Sequence, residues 1–406
     1  MLSARPSSVH CTDQVADHLI VRVSRAVAIQ PNLSSGPPSP WRGPAEGAPG
    51  AELLEGARTL LGLPEPAMLA QLRSWPQGLA LHLFKAMARL RAFDERAVIL
   101  QRQGRIGTYP TFYGEEGVQA ASVLALRSQD WLFPTYRQTA VVTLRGCPPV
   151  VPLLMWRGHP GGWHDVMKYR VAPVCVPVAT NLPHAMGAAW GAKLRGQELV
   201  ALGYGGDGST SAGDFHEACN LAAVMKAPVI FLITNNQWAI STPLNKQTRV
   251  PRLAEKAAAY GMPGIRVDAF DVFACYQAVY EAAAMARRGE GPVLIEAIGY
   301  RLGPHGTADE PSLYRSPDSD RRWEPMEPMR RTRTALVAAG LASEEELNQV
   351  QAELADEVRD AGDAMDGYAP VAIEEIAGTV HLETPWSLMP DRLREPSWLE
   401  RGGDAQ

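Results

Sequence analysis

Residues 199–241 read LVALGYGGDGSTSAGDFHEACNLAAVMKAPVIFLITNNQWAIS, and this stretch decides the fold. An apolar run, Leu199–Tyr204, ends in Gly205-Gly206-Asp207-Gly208. A helix-patterned segment follows, then a second apolar run, Pro228–Ile233, then Asn235-Asn236. The order is strand, loop, helix, strand, loop, with polar residues of ligand type where each strand ends. Parallel α/β sheets bind ligands at that edge. Asn236 stands 29 positions after Asp207. A carboxylate and an amide oxygen, one from each tip, are hard donors suited to Mg2+, which leaves its other positions to phosphate oxygens and water. Glycines at 205, 206 and 208 let a diphosphate approach the backbone, and Ser209 with the following helix N-terminus adds donors. A Gly-Asp-Gly alone reads as a simple turn. Its pairing with Asn-Asn at the end of the next strand points to a metal–diphosphate site.

Downstream the alternation continues: a helix over Leu253–Tyr260, a strand over Gly264–Val267, a helix over Val272–Arg288 and a strand over Pro292–Ile298. That rhythm predicts an α/β fold, a mostly parallel sheet with helices on both faces. Residues 300–316, YRLGPHGTADEPSLYRS, break it with a long polar loop that holds His305. Upstream, apolar residues near a 3.6-residue period from Leu79 to Val98 predict one long helix over Gln77–Gln103, with Gly104 and Gly107 as its stop. Residues 111–126 open a small-residue helix from a glycine-bounded turn. Tyr136-Arg137 follows Pro134 at a helix start, where an arginine and free N–H groups can hold a phosphate. By itself the pair reads first as a surface arginine beside a packed tyrosine. Residues 156–170 read as a glycine-rich loop, and its His159 and His164 either face a substrate or are solvated or structural. Pro183, Gly187 and Gly191 fall four apart on one helix face, which suits a close helix contact within the fold or between subunits, or equally glycines tolerated on an exposed face.

The 406 residues allow one large or two ordinary domains. A net charge of −5 advertises no face for nucleic acid, and no apolar run reaches the length of a membrane span. Five scattered cysteines without a C-x-x-C suit a reducing compartment and argue against a disulfide scaffold or zinc site. Residues 34–50, SSGPPSPWRGPAEGAPG, cannot bury a core, so residues 1–50 are read as a disordered arm. Asp13 and Asp17 among Arg5, Arg22 and Arg25 speak against a mitochondrial transit peptide. Residues 51–330 are read as the diphosphate- and metal-binding domain, and 331–406 as a helical extension and tail.

GDG…NN is the motif of thiamin diphosphate enzymes. With YGEEG (113–117), FPTYR (133–137), PVATNLPHAMG (177–187) and YRLGPHGTADEPSLYR (300–315), the chain from about Leu79 to Tyr314 resembles the alpha subunit of the decarboxylating component of 2-oxo acid dehydrogenase complexes. The resemblance implies Mg2+ ligation by Asp207, Asn236 and the backbone carbonyl of Trp238. It implies diphosphate contacts from Tyr136, Arg137, Gly208 and Ser209, and backbone contacts near the aminopyrimidine from Val176 and Val178. His305 would sit beside the cofactor, stabilise the diphosphate and assist acyl transfer. Thr180 and Asn181 match a potassium position of some relatives, but Cys175 replaces a hydroxyl residue there. Gly306 stands where mitochondrial relatives carry a phosphorylatable serine, so kinase control at that position is not expected and a bacterial, cytoplasmic enzyme is favoured over a mitochondrial matrix one. Thr234 stands where some relatives place a phosphate-binding arginine.

The implied reaction is oxidative decarboxylation of a 2-oxo acid, with acyl transfer to the lipoyl group of an acyltransferase component. In that family the glutamate that activates the cofactor lies in a second domain, and no second α/β pattern is read after residue 316. A beta subunit, in an assembly of two alpha and two beta chains, is therefore implied, with the alpha chain inactive alone. GEEG and NNQWAIS resemble the branched-chain subgroup somewhat more, while pyruvate-type bacterial relatives share NNQ and GPH, so the resemblance leans to branched-chain substrates over pyruvate. An acetoin dehydrogenase alpha subunit, a transketolase-like half-enzyme and a non-catalytic scaffold are the weaker readings.

Overall fold

The computed structural model describes residues 54–372; the expected arm at 1–50 and the tail beyond 372 lie outside the described residues. Five parallel strands form the sheet: β1 Trp131–Phe133, β2 Ala201–Gly206, β3 Val229–Asn235, β6 Gly264–Asp268 and β7 Val293–Ile298, in the order β1-β2-β3-β7-β6. β4 Trp238–Ala239 and β5 Thr242–Pro243 form a small antiparallel hairpin just past β3. Every residue of β3 and β7 is buried, so both faces of the sheet are covered. On one face Val229, Phe231 and Ile233 pack with Leu182 and Ala185 of α3 (Asn181–Leu194) and with Phe215 and Ala218 of α4 (Gly213–Met225). α5, Val272–Arg287, runs against β3, β6 and β7 and against α2, Glu116–Leu124.

The outer strands are not left open. Leu132 and Thr135 bridge to Val171 and Cys175, and Val267 bridges to Arg58, so irregular segments cap both edges. The sequence reading missed β1: its three residues sit between charged and proline-marked turns and offer no alternation. Residues 174–178 form no strand beyond the Thr135–Cys175 bridge, and Val176 and Val178 face outward.

The long helix α1 spans Gln77–Arg102 and buries Leu79, Leu83, Phe84, Met87, Leu90 and Phe93, as its period predicts. Leu81 and Val98 are only half-buried. α6 (Pro328–Ala338) and α7 (Glu344–Ala364) pack back on α1, so the C-terminal helices share its core. Among the described residues no helix is long and apolar enough to cross a membrane.

Candidate functional site

The C-terminal ends of four strands deliver side chains to one place. In the β2–β3 ladder Gly206 lies opposite Thr234, so the two chains leave the sheet at the same level. Asp207 follows directly from β2, and Asn236 is the first residue after β3. β1 leads into Thr135–Gln138, and β7 into the loop that carries Arg301 and His305. These segments enclose a cavity of ≈ 240 Å³. Its lining includes all ten residues singled out from the sequence: Tyr136, Arg137, Val176, Val178, Asp207, Gly208, Ser209, Asn236, Trp238 and His305. His159 and His164 are not among its walls. Both rings bond to backbone, at Gly161 and Ala369 for His159 and at Val171 for His164, which makes them loop braces.

Local chemistry explains the placement. Thr135 caps the 3-10 turn Tyr136–Arg145: its hydroxyl accepts from the Arg137 N–H, and Gln138 reaches back to the Thr135 N–H. Gly208 is required by packing, because a Cβ there would lie 2.8 Å from the Ala239 Cβ of the hairpin. In the hairpin Gln237 and Ile240 hold φ of 72° and 56°, a conformation that costs a non-glycine residue energy and that the surrounding contacts enforce. Arg301, 2% exposed, is that enforcer: it donates to the Trp238 carbonyl at 3.3 Å and the Ile240 carbonyl at 2.9 Å.

The two asparagines do different work. The Asn235 amide donates sideways to Glu296 of β7 at 2.7 Å, while Asn236 turns to the cavity. Burial pushes the Asp207 carboxyl up to about 6, against the pull of a hydrogen bond from Gln247 and the positive charge of Arg301 and Arg137. A buried carboxylate whose desolvation outweighs the pull of its neighbours suits a bound cation. Among the described residues no group of three or more His, Cys, Asp or Glu could hold a metal. The oxygens here are of another kind: one carboxylate, one amide and one backbone carbonyl, hard donors that fit Mg2+ shared with a phosphate.

Arg137 is 6% exposed and partly occupied. It donates to the Thr111 carbonyl, and its Nη2 reaches both Nδ1 of His305 at 3.0 Å and the His305 carbonyl at 3.2 Å. Burial, then the positive charge of Arg137 and Arg301, lowers His305 to about 4, so its ring is neutral at pH 7. Asp309 accepts from the His305 N–H at 2.7 Å and from the Tyr314 hydroxyl at 2.5 Å, which folds the loop over the cavity. Sequence reasoning gave no role to Glu115, Gln247, Arg301, Asp309 or Tyr314. Glu115 and the loop residues lay inside the family-like motifs, but Gln247 carried no signal before the hairpin brought it to Asp207.

Fold and cavity define the class: a parallel α/β protein of the thiamin diphosphate-binding fold. The chain belongs to the dehydrogenase E1 component family, whose match covers residues 84–373. It is 43% identical over 323 residues to the 3-methyl-2-oxobutanoate dehydrogenase subunit alpha of Mycobacterium tuberculosis, covering 79% of this chain and 87% of that protein. It is 39% identical over 307 residues to the pyruvate dehydrogenase E1 component subunit alpha of Staphylococcus epidermidis, covering 75% and 83%. Against the Staphylococcus aureus protein of the same name it is 43% identical over 269 residues, 66% of this chain and 73% of that one.

Proposed function

We propose that this chain is the alpha subunit of an assembly that oxidatively decarboxylates branched-chain 2-oxo acids and passes the acyl group to a lipoyl group. The observation that carries the reading is the convergence of all ten expected residues on one cavity at the strand tips. Asp207, Asn236 and the Trp238 carbonyl would hold Mg2+. The second lone pair of that carbonyl remains for a cation beside the Arg301 contact. Gly208, Ser209, Tyr136 and Arg137 would receive the diphosphate, and the backbone at Val176 and Val178 would meet the aminopyrimidine. Thiamin diphosphate, when bound, supplies the decarboxylation chemistry. His305, neutral and with Nδ1 turned to Arg137, offers its Nε2–H to the reacting end as a donor. Residues 51–330 serve as the cofactor-binding domain, and the helices after 330 are an extension anchored on α1.

A beta subunit completes the site in this reading, in an assembly of two alpha and two beta chains, with a lipoyl-bearing acyltransferase as the next partner. Val176, Val178 and Ile240 support it: they are 63%, 53% and 56% exposed around the cavity, an apolar rim suited to cover by protein. A cytoplasmic bacterial enzyme accords with the bacterial relatives. Pyruvate is the second candidate substrate, favoured by the S. aureus relative at equal identity over a shorter stretch. Kinetics of the chain reconstituted with its beta partner decide between them, using pyruvate, 3-methyl-2-oxobutanoate and 4-methyl-2-oxopentanoate. Preference for the branched acids is expected; strong preference for pyruvate overturns the substrate assignment, and turnover without a partner overturns the subunit assignment.

A further inference from the structure

Asn236 poses a problem that its sequence position does not solve. Its amide has an oxygen end and a nitrogen end of nearly equal shape, and a cation takes only the oxygen. Glu115, 3% exposed and at the start of α2, supplies the answer. Its Oε1 accepts from Asn236 Nδ2 at 2.8 Å. Burial raises the Glu115 carboxyl, while the positive charge of Arg137, whose Nε lies 4.0 Å from Oε1, favours the ionised form; as a carboxylate Glu115 only accepts, and so takes the nitrogen end of Asn236. The Trp238 N–H donates to Asn236 Oδ1 at 3.3 Å and selects the same orientation. Asn236 Oδ1 keeps a second lone pair for the cavity.

Asp207 is held by the same logic. Gln247 Nε2 donates to Asp207 Oδ2 at 2.7 Å and to the Thr242 carbonyl at 3.0 Å. Both partners only accept, so the nitrogen end of Gln247 is fixed on them, and it holds Oδ2 of Asp207 in turn, which leaves Oδ1 for the cavity. The second buried oxygen of Glu115, Oε2, has no hydrogen-bond partner among the described residues and belongs to a residue of the cavity wall, where a water on the cation could donate to it.

We propose that Glu115 and Gln247 are positioning residues that aim the two side-chain oxygens, Asn236 Oδ1 and Asp207, at the divalent cation. This rests on the metal reading above. The test uses the full chain assembled with its partner subunit, saturated with thiamin diphosphate. Mn2+ replaces Mg2+, and the free ion is counted by electron paramagnetic resonance. Glu115→Met and Gln247→Met each weaken Mn2+ binding by about 10–100-fold, the usual cost of removing an outer partner of a metal ligand. Glu115→Gln, which keeps a carbonyl acceptor, binds close to wild type. In an Asn236→Asp background, where the ligand has two oxygens and needs no aiming, Glu115→Met costs much less than in the wild-type background. Met variants that bind Mn2+ as tightly as wild type overturn the proposal, and so does an equal loss from Glu115→Met in the Asn236→Asp background. If Glu115→Met fails to fold, Mn2+ binding by Gln247→Met decides between the same two outcomes. The metal reading fails separately: it falls if wild type binds no Mn2+, or if Asp207→Ala binds it as well as wild type does.

Discussion

His305 meets Arg137 through Nδ1, and a guanidinium only donates, so the imidazole proton sits on Nε2. Burial and two neighbouring guanidinium groups, Arg137 and Arg301, hold the ring neutral down to about pH 4. Such a histidine contributes stability that is present above its unfolded pKa of about 6.5 and is lost as pH falls toward the folded value. Selectively 15N-labelled histidine spectra therefore show His305 as the Nε2–H tautomer, with no titration between about pH 6 and 8; a midpoint near the unperturbed value contradicts the assignment. His305→Ala keeps most of the cofactor affinity in calorimetry and loses acyl transfer. At this scale the sequence was legible where a residue type has one use. Asp207, Asn236 and His305 stood in motifs, and all reach the cavity. The partners that tune them were not legible. Gln247, Asp309 and Tyr314 act through distances of three ångströms or less, set by loop geometry; Asp309 and Tyr314 stood in a motif without a role, and Gln247 stood in none.

Among the elements, α1 does more than fill the core. Its Asp94, 2% exposed, accepts from the Tyr109 hydroxyl, the Thr111 hydroxyl and the Phe112 N–H, tying the helix to residues 109–112. That segment in turn holds Arg137 through the Thr111 carbonyl and the His305 loop through Tyr109 and Thr307. Burial pushes the Asp94 carboxyl up to about 6, while its hydrogen bonds from Thr111 and Phe112 pull the other way. Between the unfolded value near 4 and the folded one, the folded chain holds more protons than the unfolded one. Asp94 thus contributes stability that is intact below about pH 4 and is lost as pH rises through about 6, on the order of 3 kcal/mol. Denaturant unfolding of wild type and Asp94→Asn across that range shows the difference, since the variant lacks this slope; a difference constant with pH contradicts it. The period of α1 and the β3 and β7 runs were readable because burial imposes a pattern. β1 and the β4–β5 hairpin were not, because strands of two or three residues are fixed by their neighbours in the sheet and carry too few positions to show one.

For the whole molecule, the parallel order β1-β2-β3-β7-β6 gathers four strand tips at one edge, and this makes a site from segments as far apart in sequence as Glu115 and His305. The same view leaves surfaces unused. On α3, a Cβ added at Gly187 meets nothing within 4 Å, so no part of the described chain needs that glycine. Gly187→Leu then leaves the melting temperature of the isolated chain unchanged or higher, because glycine is a poor helix former. In sedimentation it weakens assembly with the partner subunit; unaltered assembly would refute a subunit contact on this face. The central claim is the metal-dependent diphosphate site at the tips of β2 and β3. Calorimetric titration of thiamin diphosphate into wild type and Asp207→Ala, each with Mg2+ and with EDTA, tests it most directly. Wild type is expected to bind with Mg2+ and to lose that binding in EDTA, and Asp207→Ala to bind poorly in both. Normal Mg2+-dependent binding by Asp207→Ala would contradict the account.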